Sequence, residues 1–94
     1  MGDPTVIHNA TAHQFEIAAE GGRALLGYVQ RNTILDLVHT EVAEQFKGRG
    51  YASALARAAL EYARSNNLKV IPTCPFVRAY MARHPEYDDL RATA

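Results

Sequence analysis

The chain carries no excess of either charge: ten Lys and Arg are matched by ten Asp and Glu. That balance argues against a basic surface for nucleic acid, so any positive potential must be local. Cysteine is limited to Cys74, which leaves no partner for an internal disulfide and no thiolate set for a metal. Such usage fits a reduced, intracellular setting, and the expected location is cytoplasmic. No apolar run approaches the length of a membrane span, and the N-terminus lacks the apolar stretch of a secretory signal. Met1-Gly2 resembles a myristoylation start, but Val6 stands where Ser or Thr is needed. His8 and His13 have no spacing that suggests metal ligation, and no metal is expected. Repeats and low-complexity stretches are absent.

What is present is an ordinary globular composition, 48% hydrophobic and 21% charged over 94 residues. That length suits one domain, 1–94, near the lower limit for folding without staples, with residues 1–4 as a loose tail. Gln14 to Ala19 alternates polar and apolar, as a half-buried strand does. Glu20-Gly21-Gly22-Arg23 reads as a hairpin turn, because glycine supplies the positive φ that tight turns need. Ala24 to Gln30 returns, Arg31-Asn32-Thr33 turns again, and Ile34 to Val42 forms a third strand. From Tyr51 to Asn66 there is neither Gly nor Pro. Ser53, Arg57, Glu61 and Arg64 mark a wet stripe there, with Leu55, Ala59 and Tyr62 opposite. Asn66-Asn67 is a stop, and Leu68 to Ile71 a fourth strand, parallel to the third through a right-handed crossover. Pro75 suits the first turn of a second helix, whose apolar face is Phe76, Val77, Tyr80, Met81 and His84, and Pro85 ends it. The expected class is α+β: an antiparallel meander, a β-α-β crossover and a C-terminal helix.

The segment Gln45-Phe46-Lys47-Gly48-Arg49-Gly50-Tyr51-Ala52 joins the third strand to the long helix. Glycines at 48 and 50 remove the Cβ atoms that would hold a ligand away from the backbone. The first N–H groups of the helix have no partner within it, and the dipole adds positive potential there. Strand, glycine turn and helix start together form an anion site, with Lys47 and Arg49 beside it. The bland alternative is a sharp bend and nothing more. A dinucleotide site needs a third glycine where Ser53 stands and a second crossover unit, and the chain has neither.

Gln45-x-x-Gly48-x-Gly50 resembles the acetyl-CoA pyrophosphate motif of the GNAT N-acetyltransferase superfamily. Together with His39-Thr40-Glu41-Val42, Pro72-Thr73-Cys74-Pro75-Phe76-Val77 and Tyr80-x-x-x-His84-Pro85-Glu86-Tyr87, it resembles the short YjdJ-type GNAT-like domains from about residue 14 to 90. The resemblance implies a minimal GNAT-like fold that binds acetyl-CoA. Its coenzyme A contacts would come from Val42, Gln45, Lys47, Gly48, Arg49, Gly50, Tyr51, Ala52, Cys74 and Phe76. Arg78 would reach the ribose 3′-phosphate, or else stand as an exposed helix arginine. Full-length members have two helices after the first strand, and this chain is too short there. The cofactor half of the site is therefore better supported than the acceptor half.

Cys74 is the natural N-cap of the second helix, where positive potential lowers a thiol pKa. Pro72 cannot donate to a ladder, so the strand should leave its neighbour there and open a cleft. Cys74 is then a nucleophile for the acetyl group, or alternatively a small buried hydrophobe. Strict alternation puts His39 on the strand face of Leu35 and Leu37, where it would meet Cys74 as a proton acceptor. The alternative is a half-buried, hydrogen-bonded histidine, and a strand bulge would change which side chains face the cleft. Glu41 is a further candidate base or a solvated carboxylate. Tyr80 resembles the tyrosine that protonates departing CoA thiolate, and its spacing equally suits a core contact. The expected activity is transfer of acetyl from acetyl-CoA to an unidentified amine, small molecule or protein, by a monomer or weak homodimer. The alternatives are a CoA-binding module acting as sensor or partner domain, or a small interaction domain that keeps the turn for shape.

Overall fold

The computed structural model describes residues 4–19 and 22–92. Five strands form one sheet in sequence order: β1 (Ile7–Asn9), β2 (Gln14–Ala19), β3 (Gly22–Arg31), β4 (Ile34–Val42) and β5 (Lys69–Ile71). The first four pair antiparallel and β5 joins β4 in parallel, as the intervening helix requires. The meander and crossover expected from the sequence are therefore present. Strand β1 is an addition, too short at three residues to announce itself by alternation. Of the expected first turn, Glu20-Gly21 lies outside the described residues. The second turn places Asn32 at φ 55°, a left-handed value that Asn tolerates.

Helix α1 (Tyr51–Ser65) buries Leu55, Ala56, Ala59, Leu60 and Ala63 against the sheet, while Arg57, Glu61 and Arg64 stay in solvent. Its end is fixed by Asn67 at φ 57°. The N–H of Leu68 then returns to Ala63 O at 2.8 Å, which closes the last turn. Helix α2 (Pro75–Arg83) buries Val77, Tyr80 and Met81. A 3-10 turn, Pro85–Leu90, follows, and Ala92 N–H donates to Val70 O at 2.9 Å. The C-terminal residues thus cover the free edge of β5, which would otherwise expose unpaired backbone groups.

Both helices lie on the sheet face that carries Phe15, Ile17, Leu26, Tyr28, Leu35 and Leu37, all buried in one cluster. The opposite face carries Ile7, Val29 and Ile71, which are exposed. One irregularity decides the chemistry. Gly27 of β3 faces His39 while Tyr28 faces Leu37, so Val38 is an extra residue in β4. Beyond this bulge the alternation of β4 is inverted.

Candidate functional site

The inversion moves His39 away from its expected place. Leu35 and Leu37 are fully buried, yet two residues later His39 is exposed and its Nε2 lies 3.0 Å from Glu41 Oε2. Its ring rests over Gly27 on the sheet face without helices, where an added Cβ would come within 3.2 Å of His39 Cε1. His39 and Cys74 therefore do not meet. Thr40 occupies the inward position instead, with its Oγ1 3.4 Å from Cys74 Sγ. One extra residue in the strand exchanged a histidine for a threonine.

Cys74 is the N-cap of α2, with Pro75 in the first helical position. Its N–H donates to Leu37 O at 2.8 Å, which pins the helix start against β4 just before the bulge. The β4–β5 ladder runs only from Ile34–Lys69 to Asp36–Ile71, so the last part of β4 continues without a β5 partner. Cys74 as a residue is 4% exposed. Burial alone would raise its pKa. The Thr40 hydroxyl and the backbone N–H groups of Val77, Phe76 and Thr40 outweigh that and bring the thiol below its ordinary value.

The glycine turn starts with a single 3-10 turn, Glu44–Phe46, anchored by the buried Phe46 ring. Gly48 and Gly50 follow at φ 82° and 80°, left-handed values that strain any side chain. Nothing lies within 4 Å of a Cβ placed on either, so both backbones face open space. Gly50 is the N-cap of α1, whose first turn has no side-chain cap and no acidic residue. The N–H groups at the start of α1 thus point outward with the helix dipole behind them. Lys47 Nζ sits 3.2 Å from Glu44, and the Arg49 guanidinium lies 5.8 Å from the Phe46 ring centre.

These elements enclose a cleft of about 390 Å³. Thr40 and Val42 from β4 form one wall; Phe46, Lys47, Gly48 and Gly50 form the floor of the turn. Tyr51, Ala52 and Ser53 of α1 and Phe76 of α2 complete it. Seven expected contacts (Val42, Lys47, Gly48, Gly50, Tyr51, Ala52 and Phe76) line this one space. Cys74 lies behind the wall, reached through Thr40. Gln45 is exposed and its amide sits close to Gly22. Arg78 donates to Thr73 O at 3.0 Å, and Arg49 and Tyr80 line a neighbouring recess. Thr40, Phe46 and Ser53 also line the main cleft and are not among the contacts expected from the sequence. Only the bulge at Val38 brings Thr40 forward, and nothing in the local pattern marks that bulge.

Among the described residues, no group of three or more His, Cys, Asp or Glu is placed to hold a metal. No helix among the described residues is long and apolar enough to cross a membrane. The open glycine backbones and the uncapped helix start present hydrogen-bond donors suited to an anion.

The chain is similar to known proteins in sequence and in fold. The sequence profile of the GCN5-related N-acetyltransferase family matches residues 14–90. Protein NATD1 of Xenopus tropicalis is 38% identical over 84 residues, covering 85% of this chain and 76% of that protein. Its counterparts in Mus musculus and Homo sapiens are each 37% identical, over 87 and 83 residues. Those matches cover 89% and 85% of this chain and 79% and 74% of the relatives. The solution structure of a GCN5-like candidate N-acetyltransferase from Staphylococcus aureus superposes with a TM-score of 0.74 at 26% identity. That superposition covers all of this chain and 93% of the other.

Proposed function

The chain belongs to the GCN5-related N-acetyltransferase family, and from that premise we propose that it binds acetyl-CoA in the cleft beside Gly48 and Gly50 and passes the acetyl group to an amine by way of Cys74. The observation that carries this reading is the pairing of the two ends of one cleft. One end offers open glycine backbone and the start of α1 for phosphates. Behind the other lies a cysteine whose thiol is held below its ordinary pKa.

Acetyl-CoA supplies an activated acyl group with a thiolate as leaving group. Gly48, Gly50 and the N–H groups of Tyr51 and Ala52 hold its pyrophosphate, with Lys47 alongside. Val42 and Phe76 flank the pantetheine arm. Thr40 donates its hydroxyl to the Cys74 sulfur and favours the thiolate. The thiolate attacks the thioester carbonyl, a new carbon–sulfur bond forms, and CoA leaves as its thiolate. The thioester on Cys74 then loses its acyl carbon to the amine, the sulfur takes back the electron pair, and the nitrogen gives up its proton to solvent or a nearby carboxylate. Holding donor and acceptor in one cleft supplies much of the rate by removing a bimolecular encounter.

A second reading is favoured by the 4% exposure of Cys74. With the thiol this covered, the domain would bind CoA and transfer acetyl directly, or act as a CoA-responsive module. Intact-mass measurement after incubation with acetyl-CoA separates these readings. An acetyl adduct that disappears in Cys74→Ala supports the covalent route, and binding without an adduct supports the second reading. Gly48→Glu and Gly50→Glu should each abolish binding, by clash and by repulsion of phosphate. Failure of the unmodified chain to bind CoA in calorimetry overturns the proposal.

A further inference from the structure

Among the described residues, Thr40 and Phe76 both line the main cleft and touch the Cys74 sulfur, while Cys74 itself lies outside that lining. Phe76 touches it through a backbone N–H, which the first turn of α2 holds in place. Thr40 touches it through its side chain, with Oγ1 3.4 Å from Sγ. The movable group between the cleft and the thiol is therefore the Thr40 side chain.

The backbone of Thr40 is fixed by its pairing with Leu26 of β3. On its other side the β5 ladder has already ended at Asp36–Ile71, so no strand crowds it there. What remains free is the rotation of χ1 between staggered wells. The well seen here lays the hydroxyl on the sulfur and keeps Cys74 covered. Turning the Cβ hydrogen toward the sulfur leaves the least bulk in the way. The N–H groups of Val77, Phe76 and Thr40 stay on the sulfur when that happens.

The same side chain bounds the room beside the sulfur. Cys74 otherwise belongs to the closed core with Leu37, Val77 and Met81. Such a core has few voids for added carbon. An acetyl group on the sulfur asks space for one methyl beside Thr40 Cγ2. Each further carbon of a longer acyl chain has to press on Thr40 or on that core.

We propose that Thr40 is a gate on Cys74: its side chain turns aside for the thiol to meet a thioester, and its γ-methyl restricts the acyl group that the thiol accepts to a short one. The inference rests on the acetyl-CoA reading and adds the residue that sets acyl length. In the transfer a bond forms between the Cys74 sulfur, as thiolate, and the acyl carbon. The bond from that carbon to the CoA sulfur breaks, and the electron pair leaves with CoA.

Intact-mass time courses with acetyl-CoA and butyryl-CoA test it, each rate divided by the rate of the same reagent with a small free thiol. The unmodified chain should be acylated about ten-fold or more faster from acetyl-CoA. Thr40→Ser keeps the hydroxyl and loses only the methyl, and it should narrow that preference. Thiolate fraction enters both rates equally, so their ratio reports room and not pKa. A second pair, iodoacetamide and the bulkier iodoacetanilide, needs no CoA site. Cys74 should prefer the smaller reagent, and Thr40→Ser should narrow this preference too. Equal rates from the two acyl-CoAs, or a preference unchanged in Thr40→Ser, would overturn the gate and leave Cys74 acylation standing. Absence of an adduct from either acyl-CoA would overturn the Cys74 route together with the selection built on it. An alkylation preference unchanged in Thr40→Ser would overturn the gate whatever the acyl-CoAs do.

Discussion

Thr40 Oγ1 and Cys74 Sγ lie 3.4 Å apart, one on the inverted part of β4 and the other at the N-cap of α2. The contact joins the cleft wall to the buried thiol and stabilises the thiolate. Thr40→Val keeps the shape and removes the donor. The Cys74 pKa should rise in this variant, measured by ultraviolet titration of the thiolate, and the acetylation rate of Cys74 at neutral pH should fall. An unchanged titration midpoint would separate Thr40 from the thiol.

His39 supplies the contrast. Its ring lies on the other face of the sheet beside Glu41 and over Gly27. His39→Ala should leave the Cys74 titration curve where it is. A shift as large as that of Thr40→Val would mean that the bulge does not persist in solution.

Gly50 begins α1 at φ 80° with open space where a Cβ would stand. Gly50→Ala meets no steric obstacle inside the protein, so its cost is the left-handed backbone alone, about 1–2 kcal/mol. Urea denaturation should report that loss. A stability equal to that of the unmodified chain would show the turn relaxing to another conformation.

His8 fixes the edge strand β1. Its Nε2 lies 2.6 Å from the Tyr28 hydroxyl, and its ring stacks on Phe15 at 4.4 Å and meets Tyr62 edge-on at 4.5 Å. Burial holds its pKa below the ordinary histidine value. The folded chain therefore binds fewer protons at His8 than the unfolded chain does, and stability rises with pH across this window. The contribution is complete above about pH 6.5 and is lost as pH falls through the lowered folded value. His8→Phe should flatten that part of the profile in denaturation measured between about pH 5 and pH 8. An unaltered slope would show that His8 does not titrate differently in the folded state.

Arg64 ties the C-terminal turn to α1. Its guanidinium donates to both Asp89 oxygens at 2.9 and 3.1 Å and to Glu86 O at 2.8 Å. That bidentate contact raises the Arg64 pKa and holds the Asp89 carboxyl below its usual value. The Asp89 contribution is present above the ordinary carboxylate pKa and disappears as pH falls through the lower folded value. Arg64→Ala should speed amide exchange at Ala92, whose N–H closes the β5 edge on Val70 O. Exchange at an unchanged rate would leave the turn held by its own packing.

The sequence by itself determined the order of elements from β2 to α2, because strand alternation, helix spacing and turn residues are local signals. Gln14–Ala19 and Ile34–Val42 carry their own two-residue period, α1 its alanine-rich apolar stripe, and Gly48 and Gly50 their backbone requirement. The same locality put the glycine turn at the start of α1 and Cys74 at the start of α2. The sequence could not count the residues between two paired strands. The register of β3 against β4 makes Val38 an extra residue, and that pairing decided that Thr40 faces the thiol and His39 does not. Nor does local pattern say which arginine shares a recess with which tyrosine. Arg57 and Tyr80 come from different helices, brought together by the packing of α1 and α2, while Arg78 spends its donor on Thr73. Elements form from neighbours in the chain; the chemistry of the site depends on groups that only strand register and helix packing bring together.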